Sequence, residues 1–247
     1  MFLYRLLLTI LFLSETLLNG SLAYAESLSL PDSGGLTYDR YAASGPDLLL
    51  WVASERGLSE AEIQAAKRLA QAGTEVWQLD LASSYFLPLL PSSMDAVPSQ
   101  DARRWLKAAM NTGKQVRVLA ISRAVRPVLR AMSELTAGER AQLCVALLYP
   151  NLYASAAPLD EPAYLELGRL EGGQILLLQP RRSAATPWLP ALMQVLQNSG
   201  VRLQSVMLEK LREGYWVRDD ATAFEMEEGK RLDAMLQNQF QSWAWGK

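Results

Sequence analysis

The 247-residue sequence contains no histidine and a single cysteine, Cys144. Without histidine, the chain lacks the usual general base of hydrolases and the commonest protein ligand of metal ions. One cysteine cannot form an intramolecular disulfide, and it cannot build a cysteine-rich zinc site. We therefore expect no metal centre, and any catalysis has to use a base other than imidazole.

Charged residues are also few, at 20% of the chain, and 24 Lys and Arg against 26 Asp and Glu give a net charge of -2. A chain without an excess of basic residues has no positive electrostatic potential to attract a phosphate backbone, so we expect no nucleic-acid partner. The sequence has no G-x-G-x-x-G motif, and Gln115 follows Gly113-Lys114 where a phosphate loop needs a hydroxyl residue. We therefore expect no nucleotide cofactor and no cofactor of another kind.

The first 25 residues have the pattern of a secretory leader. Arg5 precedes an apolar run over 6–13, and Ala23-Tyr24-Ala25 provides the small residues of a cleavage site. The run is too short to span a bilayer, so we expect cleavage before Glu26 and no transmembrane segment afterwards. This predicts a periplasmic or secreted protein whose mature part, 26–247, forms a single domain.

Beyond the leader, short apolar runs alternate with segments of helical periodicity. Ser59 and Glu62 form a capping box, while Ser99 or Asp101, and Thr186, are expected to cap later helices. Strands are predicted at 48–53, 75–81, 116–121, 143–149, 174–178 and 201–208, with an edge strand possible at 36–41. Continuous apolar strands separated by helices predict an α/β three-layer sandwich with a mainly parallel sheet of about six to eight strands.

Ligands of such sheets bind beyond the carboxyl ends of the strands. After the strand at 116–121, Ser122 lies among small residues in the run Ala-Ile-Ser-Arg-Ala at 120–124. This has the shape of a nucleophile elbow, with alanines in place of both glycines of G-x-S-x-G, and the N–H of Arg123 would face an oxyanion. Serine is also an ordinary helix N-cap, so both interpretations of Ser122 stand.

The order of these elements resembles that of the α/β-hydrolases. The resemblance implies an oxyanion loop after 48–53, the elbow at Ser122, an acid after 174–178 and a histidine after 201–208. Residues 179–182 contain no acid, residues 209–220 contain no histidine, and Ser54-Glu55-Arg56-Gly57 replaces the His-Gly of the oxyanion loop. Of the triad, the resemblance leaves only Ser122 as a catalytic candidate.

A narrower resemblance concerns residues 80–86, DLASSYF, which are similar to the corresponding segment of the periplasmic AcvB/VirJ-type members of this superfamily. It implies hydrolysis of an aminoacylated lipid. With the elbow and the segment that replaces the His-Gly, it gives Ser54, Tyr85 and Arg123 as candidate residues for binding a ligand or an oxyanion.

Three functions follow from these patterns. The leading hypothesis is a non-catalytic α/β-hydrolase-like protein that binds an unknown small molecule or protein partner at the strand ends. The alternative is an unconventional serine hydrolase, of the esterase or amidase class, that uses Ser122 with a non-histidine base such as Lys210, Glu213, Asp219 or Asp220. A third possibility, a structural or assembly protein, predicts an exposed apolar patch in the loop at 83–99 and no enclosed pocket.

Overall fold

The computed structural model describes residues 25–29, 36–90, 92–155 and 162–243. The predicted leader lies outside these residues except for Ala25, with which the first strand begins. None of the helices in the described part combines the length and the apolar character needed to cross a bilayer.

Within the described residues, ten strands form one large sheet and one small two-stranded sheet. Their bounds are Ala25–Ser29 (β1), Thr37–Tyr41 (β2), Asp47–Val52 (β3), Glu75–Leu79 (β4), Gln115–Ile121 (β5), Leu143–Leu148 (β6), Tyr153–Ser155 (β7), Ala163–Tyr164 (β8), Gln174–Pro180 (β9) and Arg202–Leu208 (β10). The eight-stranded sheet has the order β1-β2-β4-β3-β5-β6-β9-β10. Six neighbouring strands of this sheet pair in parallel, namely β4, β3, β5, β6, β9 and β10. Strand β2 pairs antiparallel with both β1 and β4.

Helices cover both faces of this sheet. Their bounds are Glu60–Gln71 (α1), Leu81–Ser84 (α2), Ser99–Met110 (α3), Val125–Ser133 (α4), Ala137–Arg140 (α5), Leu189–Asn198 (α6), Ala223–Lys230 (α7) and Leu232–Ser242 (α8). Buried side chains of α3, α4 and α6 belong to one apolar cluster with alternate residues of β3, including Leu50, and those of α1 and α8 belong to a second cluster with Leu49 and Trp51. The predicted three-layer α/β sandwich is thereby confirmed, because strands buried on both faces need an apolar cover on each.

Of the helix caps predicted from the sequence, one is confirmed and two are wrong. The capping box is confirmed, since Ser59 Oγ accepts from the Glu62 N–H and the Glu62 carboxylate accepts from the Ser59 N–H. The cap predicted at Ser99 or Asp101 is wrong, because Pro98 precedes α3 and provides no side-chain cap. The cap predicted at Thr186 is also wrong: its hydroxyl donates to the Pro180 carbonyl, and a 3₁₀ turn precedes α6.

A buried carboxylate links the sheet to its antiparallel edge. Glu75, the first residue of β4, accepts from Arg40 Nε of β2 at 2.7 Å and from Lys114 Nζ before β5 at 2.8 Å, and Trp77 Nε1 donates to it at 2.8 Å. Burial opposes ionisation of Glu75, but the hydrogen bonds from Arg40, Lys114 and Trp77 outweigh it and lower its pKa to about 2.

We expect Glu75→Gln to lower the free energy of unfolding by about 1–3 kcal/mol at neutral pH, because two cations and an indole lose a charged acceptor. A carboxyl with a depressed folded pKa stabilises the fold above its unfolded value of about 4.5, and the contribution is lost as the pH falls towards about 2. Urea unfolding should therefore show a difference in the free energy of unfolding between wild type and variant that becomes smaller as the pH falls from about 4.5 to about 2. Glu166→Gln, at an exposed position, is the control, and equal stabilities of Glu75→Gln and wild type at neutral pH would contradict the prediction.

Candidate active site

The register of the parallel strands brings three loop segments to one edge of the sheet. Val52, at the end of β3, pairs with Ala120 of β5, and Leu148, at the end of β6, pairs with Ile121 of β5. The residues that follow these strands therefore meet at the same edge. Glu55, Ser122 and Tyr149 accordingly line one open cleft of about 770 Å³.

Ser122 has a backbone conformation that serine seldom adopts. Its φ of +55° lies in the left-handed region, where an L-residue other than glycine is strained. The flanking Ala120 and Ala124 are fully buried, so larger side chains there would meet the packed core. The 3₁₀ turn at 122–124 and helix α4 have Ile121 and Ala124 as their N-cap residues, not Ser122. Ser122 therefore occupies a sharp turn between β5 and α4, and it is not an ordinary helix cap.

The Glu55 carboxylate contacts both functional groups of this turn. Ser122 Oγ donates to Glu55 Oε1 at 3.2 Å, and the Arg123 N–H donates to Glu55 Oε2 at 3.2 Å. The Arg123 Nε lies 3.9 Å from Oε1. Burial and then the neighbouring charge of Arg126 lower the pKa of Arg123, which Glu55 partly offsets. One carboxylate thus accepts from both the hydroxyl and the backbone N–H that a nucleophile elbow would offer to a substrate.

The cleft is bounded by acidic and aromatic side chains. Burial raises the pKa of Glu62 at its wall. Tyr149, with a φ of +38°, carries a hydroxyl whose pKa is raised far above its usual range by burial and by the charges of Glu62, Glu55 and Glu213. The phenol therefore stays protonated and is available as a donor. Its ring lies 5.9 Å from the Trp216 ring, centroid to centroid.

Comparison with solved structures identifies the architecture. An esterase of Pyrobaculum calidifontis is similar with a TM-score of 0.62 and 15% identity, over 94% of this chain and 90% of that one. A thermostable carboxylesterase from a metagenomic library gives 0.61 and 15%, over 92% of each chain. A Klebsiella pneumoniae protein assigned as a dienelactone hydrolase gives 0.62 and 16%, over 88% of this chain and 98% of that one.

The chain has an α/β-hydrolase fold. No protein-family model matches the sequence, and no curated protein matches it significantly. At these identities the similarity concerns the fold, and the chemistry has to be argued from the residues.

A hydrogen-bonded pair joins the loops after β9 and β10, the two loops in which the resemblance implies an acid and a histidine. Ser183, which follows β9 and is buried, donates its hydroxyl to Glu213 in the loop after β10. Glu213 also lines the cleft. This loop is anchored by Arg212, which binds the fully buried Glu225 of α7 and the exposed Asp220. The hydrogen bonds from Arg212 are the main cause that lowers the pKa of Glu225 to about 2.

The structure brings together some of the residues proposed for the site and separates others. Ser54, Ser122 and Arg123 all line the cleft, and Ser54 Oγ accepts from the Arg56 N–H. Tyr85 is not among the lining residues, because its hydroxyl donates to Asp101 of α3 at 2.8 Å. In the described part of the chain, no group of three acidic or cysteine side chains is arranged to hold a metal ion.

Sequence reasoning missed Glu55 as a contact of Ser122. The segment around Glu55 was informative only because it lacks the His-Gly of an oxyanion loop. A glutamate in a loop is otherwise an ordinary surface residue. The missing information is that β3 and β5 are neighbours in the sheet although β4 lies between them in the chain.

We expect Ser122→Gly to be more stable than Ser122→Ala by about 1 kcal/mol, because glycine adopts a φ of +55° without the strain that alanine retains. Both variants lose the hydroxyl, so their difference reports the backbone alone. Chemical unfolding of the two proteins measures it, and an alanine variant as stable as the glycine variant would show that the turn is unstrained.

Proposed function

We propose that this chain is a non-catalytic protein of the α/β-hydrolase fold that binds a ligand or protein partner in its strand-end cleft. The observation that carries the proposal is the Glu55 carboxylate on Ser122 Oγ and the Arg123 N–H. A negative charge at that place repels the developing oxyanion that such donors stabilise in hydrolases. Because the Arg123 N–H donates to Glu55, it is also not free to bind the carbonyl oxygen of a substrate.

The missing base supports the same proposal. A serine hydroxyl becomes a useful nucleophile only when a neighbouring group takes its proton, and loss of a triad base commonly lowers the rate by about 10⁴–10⁶. The chain contains no histidine. In the loops where the resemblance implies the acid and the histidine, Ser183 and Glu213 bind each other.

The alternative function is that of a serine hydrolase with Glu55 as the base. It is favoured by the 3.2 Å hydrogen bond, through which the Ser122 proton would pass to Glu55 Oε1 as Oγ attacks an ester or amide carbonyl. The same carboxylate would then return the proton to the leaving alcohol or amine. A carboxylate is a weaker base than imidazole, and this one also binds the Arg123 N–H, so we favour the binding function.

Residues 80–86 resemble the AcvB/VirJ-type proteins. This resemblance supports a periplasmic location for the chain more than it supports hydrolysis of an aminoacylated lipid. Asp80 accepts from the Ser83 N–H and hydroxyl at the start of α2, which gives the acidic residue a structural role. We do not extend hydrolysis of aminoacylated lipids to this chain, because the base that such hydrolysis needs is missing.

Covalent labelling with a fluorophosphonate probe, read by intact mass, separates the two functions. We expect no labelling of folded wild-type protein or of the isosteric Glu55→Gln variant, with Ser122→Ala as the matched control. Stoichiometric labelling of wild type that disappears in Ser122→Ala and weakens in Glu55→Gln would overturn the proposal and establish Glu55 as the base.

Export is part of the proposal, and it rests on the leader pattern of residues 1–25. We expect the protein recovered from the periplasm of a Gram-negative host to begin at Glu26, and Ala23→Arg to block processing because the cleavage site needs small residues. Intact mass and fractionation measure both effects. Recovery of an unprocessed wild-type chain from the cytoplasm would contradict the prediction.

A further inference from the structure

The cleft continues into a shallower groove on each side. It shares Arg56, Gly57 and Leu58 with a groove of about 600 Å³, which we name the Phe86 groove. It shares Trp216 and Arg218 with a groove of about 400 Å³, which we name the Met226 groove. The two grooves share no lining residue with each other, so the cleft connects them, and we call the three together the depression. A ligand that occupied all three would have to be extended.

Large apolar side chains are exposed at both ends of this depression. Phe86 is 94% exposed and Leu89 76% exposed in the Phe86 groove, and Met226 is 54% exposed in the Met226 groove. Exposed apolar side chains grouped beside a groove are typical of binding surfaces.

The backbone holds Phe86 outward. Its φ of +52° is a strained conformation for an aromatic residue. The turn around it is ordered, since the Leu87 N–H donates to the Ala82 carbonyl at 2.9 Å and the Tyr85 hydroxyl is held by Asp101. The loop therefore presents its apolar side chains in a defined arrangement, which lowers the entropic cost of binding.

Carboxylates outnumber guanidinium groups along the middle of the depression, although Arg212, outside the lining, pairs with Asp220. The lining of the central cleft contains five carboxylates and three guanidinium groups, which belong to Glu55, Glu62, Glu213, Asp219 and Asp220 and to Arg56, Arg123 and Arg218. Within the described residues, Glu213 and Asp219 form no ion pair. The Tyr149 and Trp216 rings add aromatic surface, over which a cation is attracted.

We propose that this depression binds an extended polypeptide segment that has Lys or Arg in its middle and apolar side chains on both sides. The proposal rests on the proposed binding function and names its partner class. Glu213 and Asp219 would repel an anionic polymer. A small amine would use only the centre, and an uncharged chain would leave Glu213 and Asp219 without an ion-pair partner.

Peptide probes test the assignment by fluorescence anisotropy on the purified protein. A labelled peptide LFKKFL is expected to bind at least about tenfold more tightly than either the charge-reversed LFEEFL or the apolar-deleted SSKKSS. Binding of LFKKFL should weaken as salt is added, because part of the attraction is electrostatic.

Variants assign the two halves of the recognition. Phe86→Ser and Met226→Ser replace exposed side chains, so we expect both to fold and each to weaken LFKKFL binding by about fivefold or more while leaving SSKKSS unchanged. Glu213→Gln should weaken both Lys-containing peptides. Glu166→Gln, which removes an exposed carboxylate outside the cleft, should change neither.

Several results would overturn the proposal. Equal binding of LFKKFL and SSKKSS, insensitive to Phe86→Ser, would assign the cleft to a small cation. Absence of peptide binding together with Phe86-dependent binding to phosphatidylcholine vesicles, or with Phe86-dependent self-association, would assign the apolar ends to a membrane or to a second copy. Fluorophosphonate labelling of Ser122 would overturn the non-catalytic function instead, so the two failures are distinguishable.

Discussion

The Glu55 carboxylate accepts hydrogen bonds from the Ser122 hydroxyl and from the Arg123 N–H, and the arrangement of the strand-end surface depends on this contact. It is possible because β3 and β5 are adjacent, parallel and in register, so that the loop after one strand reaches the turn after the other. The strained Ser122 turn directs its hydroxyl and the next N–H towards that loop. An acidic residue one position beyond Ser54 then satisfies both donors within the protein itself.

The contact of Glu55 with Ser122 and Arg123 distinguishes this cleft from an acyl-transfer site. In an acyl-transfer site, donors at the turn are preorganised and wait for an oxygen that becomes negative only in the transition state. Here the Glu55 carboxylate already accepts from both donors. A cleft lies at the strand ends, bordered by the loop after β10 that Arg212 and Glu225 anchor, and Ser183 after β9 binds Glu213 of that loop. These contacts are the basis of the proposed binding function.

Much of the fold could be predicted because its signals are local. Continuous apolar runs predicted the central strands, and the Ser59 capping box predicted the start of α1. The caps at Ser99 and Thr186 failed because serine and threonine hydroxyls can serve several acceptors, and Thr186 serves the Pro180 carbonyl. Leu89 and Phe86 belong to a loop that could equally have been packed against the core, and only the loop's turns place them outside.

The sequence by itself determined the layered α/β class and excluded imidazole chemistry, because apolar periodicity and the absence of a residue type are both readable along the chain. It offered Ser122 either as the serine of a sharp turn or as a helix N-cap, and only the structure decided for the turn. Tertiary structure alone decided that Glu55 meets Ser122, that Ser183 meets Glu213, and that Tyr85 turns to Asp101 instead of the cleft. The physical reason is that these contacts join residues far apart in the chain, and strand order and loop conformation, which bring them together, have no local signature.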